Sequence, residues 1–543
     1  MKKTLLFATI IFILGFFFRL HNIATTPPGL YPDEAMNGNN ALEAIRTGEY
    51  KLYYPENNGR EGLFINIQAL FIQMLGNEPW ALRLVAALFG TGTVLGIYFL
   101  AYELFAESDA VRRRRIATAA GFFAATGVWA ILLSRLGFRA NMAPFFLTWS
   151  MYLLLLVIRL CTSPSSISAS KPEAQNTKSE TISNDKKNDT KKVSPFDLPE
   201  WMKSFSRAGI RISLLAILGG LLFGLGFHSY IAYRIAPLIA LVPMIAGLMR
   251  HNGAERKRVL VASAAFIVAA IIAFAPLGFY YISNPQDFFG RTSQISVFSS
   301  PQPIHDLALN VVKTLGMFNV VGDWNWRHNY AGAPLLFWPV GIMFLIGVGL
   351  CIRKLWDARS RWTRLPEKPE ALIFVWFFVM LLPVVISNEG IPHALRAIVV
   401  IPPVFILCGV GAAFVLERIK IQFSSLLYVI TIAVFSLLFV YQAYHRYFIQ
   451  WGQNPNVFDA YSSRYVEIGR QLLFAPADIN KYVIVNANGT DVRDVPMPAQ
   501  TVMFITDTFS PEQQQAKKIF YVLDRDAIPQ DVKEKLVIPL ESE

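Results

Sequence analysis

"LYPDEAMNGNN" (residues 30–40) follows the apolar opening run "MKKTLLFATIIFILGFFFRL" (residues 1–20). Its reading decides the fold, because a membrane-length segment is followed here by two adjacent carboxylates, Asp33 and Glu34. One answer is a helix start, where acids satisfy free N–H groups and complement the helix dipole. The other is a reaction centre held against a membrane surface.

Of the 543 residues, 54% are hydrophobic and 16% charged, against roughly 25% charged in an ordinary soluble domain. The mean hydropathy is +0.39. This is the composition of an integral membrane protein. A net charge of +12 in a soluble chain would suggest nucleic acid. Here the basic residues cluster in short loops between apolar runs, which sets orientation and gives no reason to invoke a nucleic-acid partner. Cys161, Cys351 and Cys408 lie in or beside apolar spans, so neither a disulfide framework nor a zinc-type spacing is visible. The first twenty residues resemble a signal peptide without a small-residue cleavage site and read as an uncleaved first span.

A crossing helix needs about 20 mostly apolar residues. About eleven segments qualify: 4–20, 79–105, 116–133, 144–160, 209–227, 235–249, 259–281, 334–352, 371–387, 398–416 and 423–441. Alternate connections are basic: Lys2–Lys3, Arg112 to Arg115, Arg250 with "ERKR", "RKLWDARSRWTR", and Arg418 with Lys420. The positive-inside rule therefore places the amino terminus in the cytoplasm and the carboxyl terminus outside. Residues 161–208 form a cytoplasmic insertion rich in Ser, Lys, Asn and Thr, with too little apolar content to fold; "FDLPEWMKSF" within it reads as a short interfacial segment. Residues 1–451 thus make a membrane domain. Residues 452–543 change character: "KYVIVNA", "KIFYVLD" and "KLVIPL" read as strands and "YSSRYVEIGRQLLF" as a helix, a small extracytoplasmic α/β domain.

The outer face collects the polar chemistry. Loop 21–78 holds a helix from about Asp33 to Thr47 that stops at Gly48, the charged turn "YYPENNGRE" with Arg60 and Glu61, and the interfacial helix "EGLFINIQALFIQML". "FHSYIAYR" brings His228, Tyr230, Tyr233 and Arg234 to the boundary. "GDWNWRHNYAG" supplies Asp323, Arg327 and His328, and "SNEGIPHALRAI" supplies His393 and Arg396. Each has a bland reading: arginines snorkel to lipid head groups, Trp and Tyr anchor at interfaces, and histidines are more often structural than ligating. No His pair has a two-ligand helical spacing, so no metal site is proposed from spacing. A Walker A loop, a dinucleotide fingerprint and a nucleophile elbow are all missing. What favours a site is convergence on one face.

"PDEA" (32–35), followed by "NGREGLFINIQALF" (58–71) and by the "YRIAP" and "PHALRA" patterns, resembles the GT-C glycosyltransferases that use polyprenyl-phosphate-linked sugars. The protein O-mannosyltransferases and the lipid A aminoarabinose transferases are the similar groups, and the resemblance covers roughly residues 1–450. It implies an α-helical polytopic GT-C-like membrane protein with juxtamembrane helices in its first outer loop. It implies Asp33 as catalytic base, with Glu34 orienting the acceptor or holding the helix start. Arg60, Arg234 and Arg396 are then donor phosphate ligands. Glu61, His228, Tyr230, Tyr233, Asp323, Arg327, His328 and His393 remain substrate-binding candidates. The chain reads "REGL" where the lipid A enzymes have a lysine and two prolines, and it has no trefoil-type luminal insertion. No cofactor is assigned; a divalent cation is left open, which Glu34 could assist.

The implied reaction is inverting transfer of one sugar from a polyprenyl phosphate to a hydroxyl acceptor (a cell-envelope glycan, lipid or protein) at the outer surface of the plasma membrane, with membrane lipids as surroundings. The rival class is a lipid or solute transporter or flippase. Transporters place ionisable residues at mid-depth in interrupted, repeat-related helices, whereas spans five to eleven carry almost no charge there. A polysaccharide polymerase or ligase shares the outer-face logic. Cysteines introduced at Asn57 and Asn325 should react with an impermeant thiol reagent on intact cells and one at Ser183 should not; the reverse pattern would invert the topology.

Overall fold

The structure, a computed structural model, describes residues 2–162, 207–294, 297–422, 424–530 and 534–541. Apart from its two ends, the expected insertion, with its interfacial segment, lies outside the described residues. Nine described helices are long and apolar enough to cross a membrane, and a bent pair makes ten. This is a multi-pass membrane protein. The expected span 371–387 is the helix Pro369–Val385, whose 17 residues sit at the lower limit of about 17 for a crossing. The segment Ile398–Gln422 is the most enclosed, packed between Ala110–Thr126 and Trp338–Ala358, while Ser425–Trp451 lies at the periphery.

The span expected as continuous over 116–133 is broken. Helix Ala110–Thr126 and helix Val128–Ser134 meet at 58°, with Gly127 extended between them (φ −68°, ψ 118°). A helix end leaves carbonyls without intrahelical donors. The guanidinium of Arg19, buried at the end of the first span, α1 (Lys2–Leu20), donates to Ala124 O at 3.2 Å and Ala125 O at 3.4 Å. Arg135, just past the second half, donates to Phe18 O at 3.0 Å and Thr26 O at 2.5 Å. Fixed cations thus hold the broken span to the first one.

The first outer loop contains α2 (Pro32–Thr47), a hairpin pairing Tyr53–Tyr54 with Arg60–Glu61, and α3 (Leu63–Leu75). Both expected helices are present. The hairpin turn uses Asn57, Asn58 and Gly59 at φ 53°, 62° and 78°, a left-handed run that Asn and Gly tolerate best. A Cβ on Gly59 would lie 1.8 Å from the Tyr53 hydroxyl.

Glu34 is the anchor of this loop. Its carboxylate is fully buried and accepts from Arg83 Nε (3.0 Å), Arg83 NH2 (3.0 Å), Gly137 N (2.7 Å) and Tyr31 N (3.4 Å). Arg83 also donates to Pro27 O at 2.6 Å and Gly29 O at 2.9 Å. One ion pair therefore joins the start of α2, the loop before it, the span Pro79–Leu104 and the loop at Gly137.

Residues 455–541 form the expected α/β unit. A central strand Asn480–Ile484 pairs in parallel with Ile519–Val522 on one side and Lys535–Pro539 on the other. Helices Ser463–Phe474 and Ala499–Thr506 pack together beside it. The second of these lies on α2, where Asn39 Nδ2 donates to Gln500 Oε1 (2.8 Å) and Gln500 O (3.1 Å), and Thr501 Oγ1 donates to Leu30 O (2.9 Å). The approach is close enough that a Cβ on Gly38 would meet Phe504 at 2.4 Å. This packing sets the C-terminal unit against the loop that follows the first span.

Glu34→Gln should destabilise the fold by about 3 to 5 kcal/mol, the usual cost of leaving a buried cation unpaired. Thermal unfolding of purified protein checks this. An unchanged midpoint would show that the pair does not hold the loop.

Candidate active site

Two polar clusters lie on the face shared by the first loop and the C-terminal unit. The first surrounds α2 and the hairpin. Asp33, half-buried beside Glu34, accepts from Asn57 Nδ2 at 2.8 Å. Among the described residues no other hydrogen bond reaches its carboxylate. Arg60 is buried and donates to Asn37 Oδ1 (2.7 Å), Asn40 Oδ1 (2.5 Å) and Glu56 O (3.3 Å). Burial, then the Arg139 guanidinium, lowers its pKa to about 10, which still leaves it charged at neutral pH. Glu61 is buried between two cations: Arg139 Nε stands 2.6 Å and Arg234 NH2 3.9 Å from its carboxylate, and the Tyr281 hydroxyl donates at 3.3 Å. Arg234 stacks on the Phe288 ring at 4.1 Å and donates to Phe288 O at 2.5 Å.

The second cluster joins two loops. Asp323 is oriented by backbone amides: Asn325 N donates to Oδ1 and Ala394 N to Oδ2, each at 2.8 Å. His328 Nδ1 lies 3.4 Å and His393 Nδ1 3.8 Å from Asp323 Oδ2, and the two imidazoles stack with centroids 4.9 Å apart. Burial lowers the pKa of both; Asp323 partly offsets this for His328, while His328, Arg396 and Arg327 add to it for His393. Arg396 donates to Ser387 Oγ, Glu389 O (2.8 Å) and Glu389 Oε2 (2.8 Å). The clusters meet at Arg327, whose guanidinium lies 4.1 Å over the Tyr31 ring, two residues before Asp33. Burial and the Asp33 charge push the Tyr31 hydroxyl up to about 12.

Several expectations change in role. The geometry gives Glu34 the helix-start task alone, since every approach to its carboxylate is filled from within. Tyr233 is fully buried among Phe223 and Phe227, in the core. His228 is buried, its Nε2 3.0 Å from Ala273 O, and burial lowers its pKa. Tyr230 packs, partly buried, against the protein's main hydrophobic core. The guanidinium of Arg60 is used within the loop. Sequence reading did not single out Arg139, Asn57 or Arg83. Arg139 and Arg83 sit in or beside apolar spans, where they read as ordinary boundary residues. The Asp–His–His grouping was invisible because its members are 5 and 65 residues apart on separate loops.

No protein-family model matches the chain, and no curated protein matches it in sequence. Solved structures do match. The apo oligosaccharyltransferase of Archaeoglobus fulgidus superposes with a TM-score of 0.53 at 12% identity, over 95% of this chain and 64% of that one. The chain has the GT-C fold. The same archaeal protein, AglB, in complex with an inhibitory peptide and a dolichol-phosphate gives 0.53 at 12% identity, over 92% of this chain and 63% of that one. ArnT from Cupriavidus metallidurans bound to undecaprenyl phosphate gives 0.48 at 13%, over 96% and 90%. This chain spans less than two thirds of the length of AglB.

If Arg60 braces the loop, Arg60→Lys should lower stability by about 2 kcal/mol, because a point charge cannot bridge Asn37 and Asn40 together. Affinity for an added polyprenyl phosphate should be unchanged. Weakened lipid-phosphate binding with a wild-type unfolding midpoint would return Arg60 to the donor site.

Proposed function

We propose that this protein is an inverting glycosyltransferase that moves a sugar from a polyprenyl phosphate to a hydroxyl acceptor. The observation that carries the reading is the Asp33 carboxylate: one oxygen is held by Asn57, and Asn57 is its only hydrogen-bond donor among the described residues. It sits on a GT-C fold whose solved example AglB has been seen with a dolichol-phosphate. A base must be ionised and must reach the acceptor hydroxyl at about 2.6–3.2 Å. The half-buried setting of Asp33 suits both needs.

In this reading Asp33 takes the acceptor proton as the acceptor oxygen bonds to the anomeric carbon. The bond from that carbon to the phosphate oxygen breaks, and the polyprenyl phosphate leaves with the electron pair. Charge builds on the phosphate as the bond lengthens, so fixed cations lower the barrier. Of the arginines on this face, Arg327 has the fewest internal commitments: its Nε donates to Asn325 Oδ1 at 3.1 Å and its plane rests on Tyr31. Arg327 is therefore assigned to the donor phosphate, with Arg139 and Arg234 holding Glu61 as part of the wall and Arg396, like Arg60, committed within its own loop. The phosphate supplies the activation, so no nucleotide is needed. The reaction face is the extracytoplasmic one, and residues 1–451 and 452–543 act as a catalytic membrane domain and its covering domain.

Asparagine caps helices as well as aspartate does, and an asparagine at 33 can still accept from Asn57. Asp33→Asn should thus keep the fold and donor binding while turnover falls about a hundredfold or more. Transfer by the purified variant from a polyprenyl-phosphate sugar to acceptor, followed by mass spectrometry, measures this. A near-normal rate would remove Asp33 as base.

A further inference from the structure

The Asp323, His328 and His393 cluster has a local electronic problem. His393 Nδ1 accepts the backbone N–H of Arg396 at 3.4 Å, so it carries no proton, and its lone pair serves a metal only in exchange for that long contact. Asp323 Oδ2, 3.8 Å away, is an anionic acceptor. His328 Nδ1 is buried without a well-formed hydrogen bond, its nearest partner being the same oxygen at 3.4 Å. Two imidazole nitrogens and a carboxylate oxygen thus converge with only long contacts between them, and a buried polar atom without a well-made partner costs free energy. Nothing in the proposed transfer step uses these three groups.

We propose that Asp323, His328 and His393 bind one divalent metal ion of the zinc class, independently of the sugar-transfer reading. Three protein ligands of nitrogen and carboxylate type, with a fourth position open, are a common zinc donor set. Bonds of about 2.0–2.1 Å at tetrahedral angles separate ligand atoms by about 3.4 Å. The His328 to Asp323 separation is 3.4 Å, and all three ligand atoms lie within 4.8 Å of one another. His393, the one ligand that is not fully enclosed, is the member that must close. The outer supports are already built. Asp323 is fixed by the amides of Asn325 and Ala394, and its own carbonyl accepts from Gly332 N at 2.9 Å and Asn329 Nδ2 at 3.1 Å. Such partners orient ligands and raise affinity. Glu389 pairs with Arg396, one of the two guanidinium groups that act on the histidines. The ion would lock the loop carrying Arg327 to the loop carrying Arg396.

The test is metal content and thermal stability, neither of which needs sugar transfer. Protein purified without chelator should carry about one zinc-class ion per chain by elemental analysis. Chelation should lower the unfolding midpoint, and zinc should restore it. His393→Gln, a change at the least enclosed ligand, should lose the ion and the zinc response while staying monodisperse. Should that variant fail to fold, strip and reload of the wild type decides alone. Wild-type protein that holds no ion and shows no zinc-dependent midpoint shift would overturn the proposal. So would a His393→Gln protein that keeps a full complement of metal.

Discussion

The ion pair between Glu34 and Arg83 is the constraint on which the outer face depends. A buried carboxylate is tolerated only when its charge and lone pairs are met, and here four donors from three segments meet them. With Glu34 pinned inward, the preceding residue is turned by about 100° on the helix. Asp33 therefore faces the half-exposed side, where Asn57 receives it. The two adjacent acids have opposite fates for one geometric reason. The helix-start reading describes Glu34, and the reaction-centre reading is reserved for Asp33.

Around that anchor the protein uses arginine in two ways. Arg19 and Arg135 are enclosed by backbone carbonyls and compensate a helix break. Arg139, Arg234, Arg327 and Arg396 lie on the polar face beside carboxylates or aromatic rings. Guanidinium is suited to both tasks, since its planar fork of donors can be divided among several acceptors or stacked on a ring. Charge in this membrane protein is thus spent at the ends and breaks of spans, and only part of it faces the site.

The spans were legible in the sequence because hydropathy reports burial in lipid directly. Each of the eleven expected segments holds helix among its described residues, including the short Pro369–Val385. The turn between α2 and α3 was legible from "ENNG", and the α/β unit from alternating apolar residues. The break at Gly127 was not, because nothing within 116–133 distinguishes a glycine that ends a helix from one that fills it. Site residues were legible by face and not by role. Arg60 and Arg396 look alike in sequence, yet one is consumed by Asn37 and Asn40 and the other holds Glu389. Such differences are set by partners hundreds of positions away.

The docking of Ala499–Thr506 on α2 has a consequence in time. Asn39 and Gln500 are separated by 461 residues, and a ribosome adding about 5–20 residues per second needs roughly half a minute to a minute and a half to cover that distance. Throughout that interval the polar flank of α2, with Asn39, Glu43 and Arg46 unpaired, must wait at the membrane surface. Gln500, Arg493 and Asp507 arrive late and close it. The face bearing Asp33 is therefore finished by one of the last segments described here, and a chain halted before it presents the carboxylate on an unbraced helix. Synthesis and completion of this face are coupled by topology alone.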